Sequence, residues 1–248
     1  MRINIIGYGT VGKAQELLLK SLDHDVFVFD PYILPEVSVP EKQVELTFIC
    51  TPQEAVPGVV RSLQDQDVQG LYVIKSTVPV GTTESLMKNL HIHVISNPEF
   101  LRETRAQQDV LNPDRIIIGQ CCEAHGQKLA ALYEPLKKPI FITDATSAET
   151  AKLLANAYLS MLITFWNESD DLINKLGLSN SEVARLVCSD ARMSNYGTAK
   201  FGHPYGGKCL PRCMDELIHT FRGEGLNPLL FEAVRAYNLR IKAVNDNP

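Results

Sequence analysis

The sequence predicts an α/β chain in two parts: a doubly wound parallel sheet over residues 1–144 and an all-helical domain with one long helix over residues 145–248. Three observations predict it. Short, β-branched apolar runs alternate with helical patterns through the first half, as in a parallel sheet covered on both faces. Such runs stop after Thr143, and from Thr146 the apolar spacing is helical almost to the end.

INIIG is the first strand, GYGTVG turns into the helix KAQELLLKSL, and DVFVFD is the second strand. ELTFIC, LYVIKST, HVIS, RIIIG and IFIT add five more, with GVVRSLQDQ as an intervening helix. Thr146 and Glu149 stand in capping-box spacing at the head of a helix of about 30 residues that ends at Gly177. SEVARLV, MDELIHTF and LLFEAVRAYNLRIKAV follow as helices. DARMSNYGTAKFGHPYGGK reads as a long loop rich in Gly and polar residues, and such loops are usually functional.

A net charge of −5 without long charge runs argues against nucleic-acid or anionic-membrane partners and for small molecules. No segment has the length of a membrane span and MRINIIGYG lacks an export pattern, so a cytoplasmic protein is expected. Its six cysteines are then expected as reduced thiols.

The glycine run carries the first chemistry. In a strand–turn–helix unit, Gly7 permits the tight turn, Gly9 lets a pyrophosphate approach the backbone, and Gly12 lets helix and strand pack closely. Thr10 and Val11 open the helix, whose N-terminal N–H groups favour anions. Asp30 ends the second strand, placed to bind the adenosine ribose and to prefer NAD over NADP. This is a Rossmann-like, NAD-binding arrangement.

Six ordered segments then resemble the UDP-glucose/GDP-mannose dehydrogenase family: GYGTVG, KSTVPVGTT, NPEFLRE, NPDRIIIG, AETAKLLANAYL and YGGKCLP. The resemblance implies oxidation of a sugar C6 alcohol to a carboxylate by two hydride transfers to NAD, through a cysteine thioester. It implies Cys209 as nucleophile, Lys152 and Asn156 as oxyanion partners, Glu99 as the residue activating water, and Thr77 with Ser76 holding water and cofactor. Thr51 and Glu103 are implied as further cofactor contacts. Phe100, Leu101, Arg192, Lys200, Tyr205 and Gly206 are implied as contacts to a nucleotide-sugar substrate, Arg192 reaching across a dimer interface.

Several of these residues make physical sense without the resemblance. Cys209 follows two glycines and precedes Pro211, which suits a first helical turn, where the dipole favours a thiolate. Lys152 and Asn156, four apart, share a helix face; a lysine in that apolar stretch needs a partner, and Glu149 is one candidate. Glu99 and Glu103 follow a strand at the ligand-binding edge of the sheet, but two glutamates starting a helix also suit its dipole alone.

The chain also departs from the family pattern. Arg212-Cys213 stands where the family has Lys-Asp, so an expected catalytic aspartate is missing. Asp215 would face away from that position, and Glu216 would sit a turn farther from the thiol. Cys209, Cys213 and His203 lack a fourth ligand, so no metal site is expected. Only twenty residues separate Asp30 from Thr51, fewer than the family usually has, and its C-terminal nucleotide-binding domain would begin beyond Pro248. A separate C-terminal subunit is one possible completion. Leu, Ile, Phe165 and Trp166 on the helical part point to a homodimer. A two-electron alcohol or hydroxyacid dehydrogenase and a catalytically impaired NAD-binding regulatory or assembly protein are the competing readings.

Overall fold

The computed structural model describes residues 1–36 and 39–246. It divides into two compact units, residues 1–152 and 153–248. The first unit is built on a seven-stranded sheet: β1 (Arg2–Ile6), β2 (Asp25–Phe29), β3 (Leu46–Ile49), β4 (Leu71–Ile74), β5 (Val94–Ser96), β6 (Ile116–Gln120) and β7 (Ile140–Asp144). Every strand expected from the sequence is present. The order is β2-β1-β3-β4-β5-β6-β7, which puts a topological switch between β1 and β3, the place where open α/β sheets bind ligands.

Side-chain alternation explains why these strands are apolar throughout. Ile5, Phe48, Val73 and Ile95 enter one core, with Ala14, Leu18 and Leu19 of α1 (Thr10–Ser21). Their neighbours Ile6, Ile49, Ile74 and Val94 enter the other, with Val56, Val60 and Leu63 of α2 (Val56–Asp65) and Leu86 of α3 (Thr82–Leu90). Successive residues of a strand point to opposite faces, and here both faces are covered. Each fully buried side chain of this size contributes roughly 1.5–3 kcal/mol.

The sheet differs from the expected one in a single respect: β6 pairs antiparallel with β5, and β7 then runs parallel to β6. The link between β5 and β6 carries only a short turn and the six-residue α4 (Ala106–Leu111). Ala106 and Val110 join the core that holds α1. After β6 comes α5 (Glu123–Tyr133).

The long helix α6 (Ala145–Lys175) starts differently from the capping-box expectation. Asp144 Oδ1 accepts the Ser147 N–H at 2.7 Å and caps the helix. Glu149 instead accepts the N–H groups of Gly81 (2.6 Å) and Thr83 (2.9 Å) and the Thr83 hydroxyl (2.6 Å), capping α3. At its other end Gly177 has φ +67° and Leu178 N–H returns to Ile173 O at 3.0 Å, the expected glycine stop.

The second unit comprises the rest of α6, α7 (Asn180–Val187), α8 (Cys209–Gly223) and α9 (Leu229–Asp246). Its core takes Leu153, Ile163, Trp166, Met214, Leu217 and Val234. Trp166 is therefore internal, edge-to-face with Phe201 at 5.8 Å, and leaves the expected exposed dimer face; Phe165 stays half exposed. Residues 190–208 contain only turns, anchored where Asn167 Nδ2 donates to His203 O at 2.7 Å and Asn238 pairs with the Tyr205 backbone at 2.7 and 3.0 Å. No described helix is long and apolar enough to cross a membrane.

Candidate active site

In the first unit the site begins where β1 leaves the sheet. Gly7 turns at φ +94°, and a Cβ there would lie 2.9 Å from the Cys50–Thr51 backbone. At Gly12 a Cβ would sit 2.0 Å from Gly7 O, so only glycine lets α1 approach β1 this closely. Gly9 is different: its Cβ position faces open space, and it is the N-cap of α1. Thr10, exposed, and Val11, partly buried, form the first turn behind it.

Asp30 locks this loop in place. Its Oδ2 accepts the Tyr8 N–H at 2.7 Å and its Oδ1 accepts those of Tyr32 (3.0 Å) and Ile33 (3.1 Å). Across the switch point, Ser76 Oγ donates to Thr51 O at 2.6 Å, while Thr51 Oγ1 is buried with no hydrogen-bond partner in the structure. A backbone cradle with open space at Gly9, N–H groups at a helix start, and an orphaned hydroxyl beside it fit a dinucleotide.

Beyond β4 and β5 lies a buried polar cluster. Lys152 Nζ, almost fully buried, donates to Glu99 O at 2.5 Å and pairs with Glu99 Oε1 at 3.2 Å. Lys152 thus finds its partner in Glu99, and Glu149 is engaged elsewhere. Glu99 Oε2 also accepts the Leu101 N–H, and the Phe100 ring lies 5.0 Å from Lys152 Nζ and 4.1 Å from the Arg115 guanidinium carbon. Thr77 is half-buried in the turn after β4, and Glu103 is exposed.

A neighbouring network was not read from the sequence. Lys75 Nζ donates to Asn97 Oδ1 at 3.1 Å, Tyr133 OH donates to the same oxygen at 2.7 Å, and Asn97 Nδ2 donates to Ile117 O at 2.7 Å. Burial pulls the Lys75 ammonium down to about 8. The signal was available: a lysine directly after four apolar strand residues has nowhere but the interior to place its stem.

In the second unit Cys209 is the first residue of α8 and is exposed, separated from Gly206 and Gly207 by the N-cap residue Lys208. Cys213 is buried, and Asn156 Nδ2 donates to its Sγ at 3.1 Å. The amide expected to serve an oxyanion is thus hydrogen-bonded at the position where an aspartate was expected. Tyr205 is buried, its backbone is held by Asn238, and burial pushes its hydroxyl up to about 12. Arg192 is exposed and paired with Asp190 at 2.6 Å within the loop. Lys200 and Gly206 are exposed.

Residues 36–137 match the model of the UDP-glucose/GDP-mannose dehydrogenase family, NAD binding domain, and residues 146–240 match that family's central domain. A UDP-glucose 6-dehydrogenase of Bacillus subtilis is 40% identical over 154 residues, covering 59% of this chain and 35% of its own length. One of Pseudomonas aeruginosa is 35% identical over 202 residues, covering 75% of this chain and 44% of the relative. The structure of a UDP-glucose dehydrogenase from Pyrobaculum islandicum superposes with a TM-score of 0.86 at 25% identity, over 96% of this chain and 68% of that one. The chain thus spans 35% and 44% of the lengths of these two curated relatives.

Proposed function

We propose that this chain, which belongs to the UDP-glucose/GDP-mannose dehydrogenase family, oxidises the primary alcohol of a nucleotide sugar to a carboxylate in two NAD-dependent steps. The exposure of Cys209 at the first position of α8, two residues after Gly207, carries this reading. A thiol so placed is open to a substrate carbonyl, and the helix N-terminus favours its anion.

NAD supplies the acceptor for each hydride. The protein's own groups divide the remaining work. Lys152 is the buried cation that stabilises negative charge developing on the substrate oxygen. The Cys209 thiolate adds to the aldehyde carbon, giving a thiohemiacetal whose oxidation yields a thioester. Glu99 activates water to cleave that thioester, which returns the thiol. The balance is one alcohol, two NAD and one water giving one carboxylate, two NADH and three protons.

A homodimer through the second unit belongs to the same reading. Leu154, Tyr158, Phe165 and Leu172 of α6 are each substantially exposed, at intervals of four and seven residues. That spacing is a single helix stripe of the kind buried between subunits.

The deciding measurement is NADH formed per mole of UDP-glucose, UDP-N-acetyl sugar or GDP-mannose, for the parent and Cys209→Ser proteins. Two NADH per substrate, with turnover lost in Cys209→Ser by about three orders of magnitude, is the expected result. One NADH per substrate and full turnover in Cys209→Ser would replace the reading by a two-electron dehydrogenase.

A further inference from the structure

The edge of the sheet opposite the glycine loop holds a group that the proposed reaction does not use. His93 precedes β5, Cys121 follows β6, Cys122 is the N-cap of α5, and His125 lies in the first turn of α5. One donor atom from each lies within 4.8 Å of the others. His125 Nδ1 is 3.3 Å from both Cys121 Sγ and Cys122 Sγ, and the His93 and His125 rings meet edge-on at 4.6 Å.

We infer that these four side chains form a tetrahedral Cys2His2 site for a zinc ion. Zinc bonds of about 2.3 Å to sulfur and about 2.0–2.1 Å to nitrogen give tetrahedral edges of roughly 3.3–3.8 Å. The two sulfur–nitrogen edges already have that length, and small side-chain rotations close the remaining ones. Binding releases two protons as two thiols become thiolates, and with two neutral imidazoles the site is uncharged overall.

The position gives the ion a structural task. β5 and β6 meet antiparallel, and their register is defined by one pair, Ser96 with Gly119. Continuing that register sets His93 opposite Cys122. This seam joins the five parallel strands to the β6–β7 pair, and a zinc ion there clips the two parts together. His93 is exposed while both thiols and His125 are partly buried, so the ion has an entry path from solvent and a partly closed shell. The two cysteines are adjacent in the chain and the histidine follows three residues later, a spacing that lets one helix start supply three ligands.

The test is metal content of the full chain, purified with a thiol reductant and without chelator, by plasma mass spectrometry. One zinc per chain is expected, released when a mercurial titrates the thiols. Replacement by Co(II) should give the intense visible bands of a tetrahedral, thiolate-bound ion. Cys122→Ser and His125→Ala should each bind zinc at least about 100-fold more weakly, against a competing chelator, while Cys209→Ser and Cys213→Ser keep it. A parent chain that takes up no zinc, or Co(II) spectra typical of an octahedral, thiolate-free ion, overturns the inference. So does equal zinc in Cys122→Ser. None of these readouts depends on dehydrogenase activity, so the site and the proposed reaction can fail separately.

Discussion

At the glycine loop of the first unit the chemical requirement falls on the backbone, whereas at the start of α8 in the second unit it falls on side chains. Gly7 and Gly12 leave no room for a Cβ, and Asp30 fixes the loop through three main-chain N–H groups. At α8 the elements in play are a thiol, a second thiol and an amide brought from 57 residues away. A backbone requirement admits one residue type and is therefore visible in a sequence. A side-chain requirement tolerates exchange, and Cys213 stands where the family resemblance implies an aspartate.

The sharpest way to break the comparison is to add a methyl group where the backbone forbids it. In Gly12→Ala the new Cβ meets Gly7 O at 2.0 Å, an atom that cannot move without displacing β1. The expected cost is about 3 kcal/mol or more of unfolding free energy, with NAD affinity falling with it. Gly9→Ala should separate the two effects, because its Cβ enters open space. Stability there should stay within about 1 kcal/mol of the parent, while NAD affinity drops. Urea unfolding and NAD titration of both variants decide it, and equal destabilisation would remove the distinction.

The first unit also contains a side-chain requirement, at Lys75. Burial holds its ammonium down to about 8, against 10.5 for the ordinary group. Between these values the unfolded chain binds more protons than the folded one, so this lysine's contribution to stability improves as pH rises from about 8 toward 10.5. The full change is about 3 kcal/mol, from 1.36 kcal/mol per pKa unit. It is read as the difference between the parent and Lys75→Met proteins by urea unfolding across that range. The Cys50 thiol, pushed up to about 12 by burial, acts in the opposite direction, and because the Lys75 charge holds it lower the two variants are compared in a Cys50→Ala background. A difference independent of pH would show that Lys75 is not a buried cation.

These regions also mark how far the sequence could be read. All seven strands and the glycine stop at Gly177 were legible, because apolar runs and left-handed positions are local signals. Strand direction is not local: nothing in RIIIG says that it runs against β5. With that direction hidden, His93 and Cys122 could not be seen to face one another, and the Cys/His group went unread. The cap at α6 was misassigned because Glu149 has partners on α3, 66 and 68 residues away, that compete for its carboxylate. Lys152 was likewise expected to pair with Glu149 or reach solvent, and only the fold selects Glu99. Trp166 looked like a surface residue because apolar positions on a long helix do not reveal which of them a distant loop will cover.

The smallest expected effect tests whether the exchange at position 213 is reversible. Cys213 is 1% exposed and takes a hydrogen bond from Asn156 at 3.1 Å, so an aspartate there inherits one donor at the correct place. On the proposed mechanism, a carboxylate near the nucleophile assists proton removal, and Cys213→Asp should raise NADH formation about tenfold, equivalent to about 1.4 kcal/mol. Burying a carboxylate at this position should cost about 1–3 kcal/mol of stability. Cys213→Asn, similar in size but uncharged, should not raise the rate. An aspartate variant that folds but gains nothing over the asparagine variant would mean that the second unit has adapted around the thiol, and that its side-chain requirement is as exclusive as the backbone requirement at Gly12.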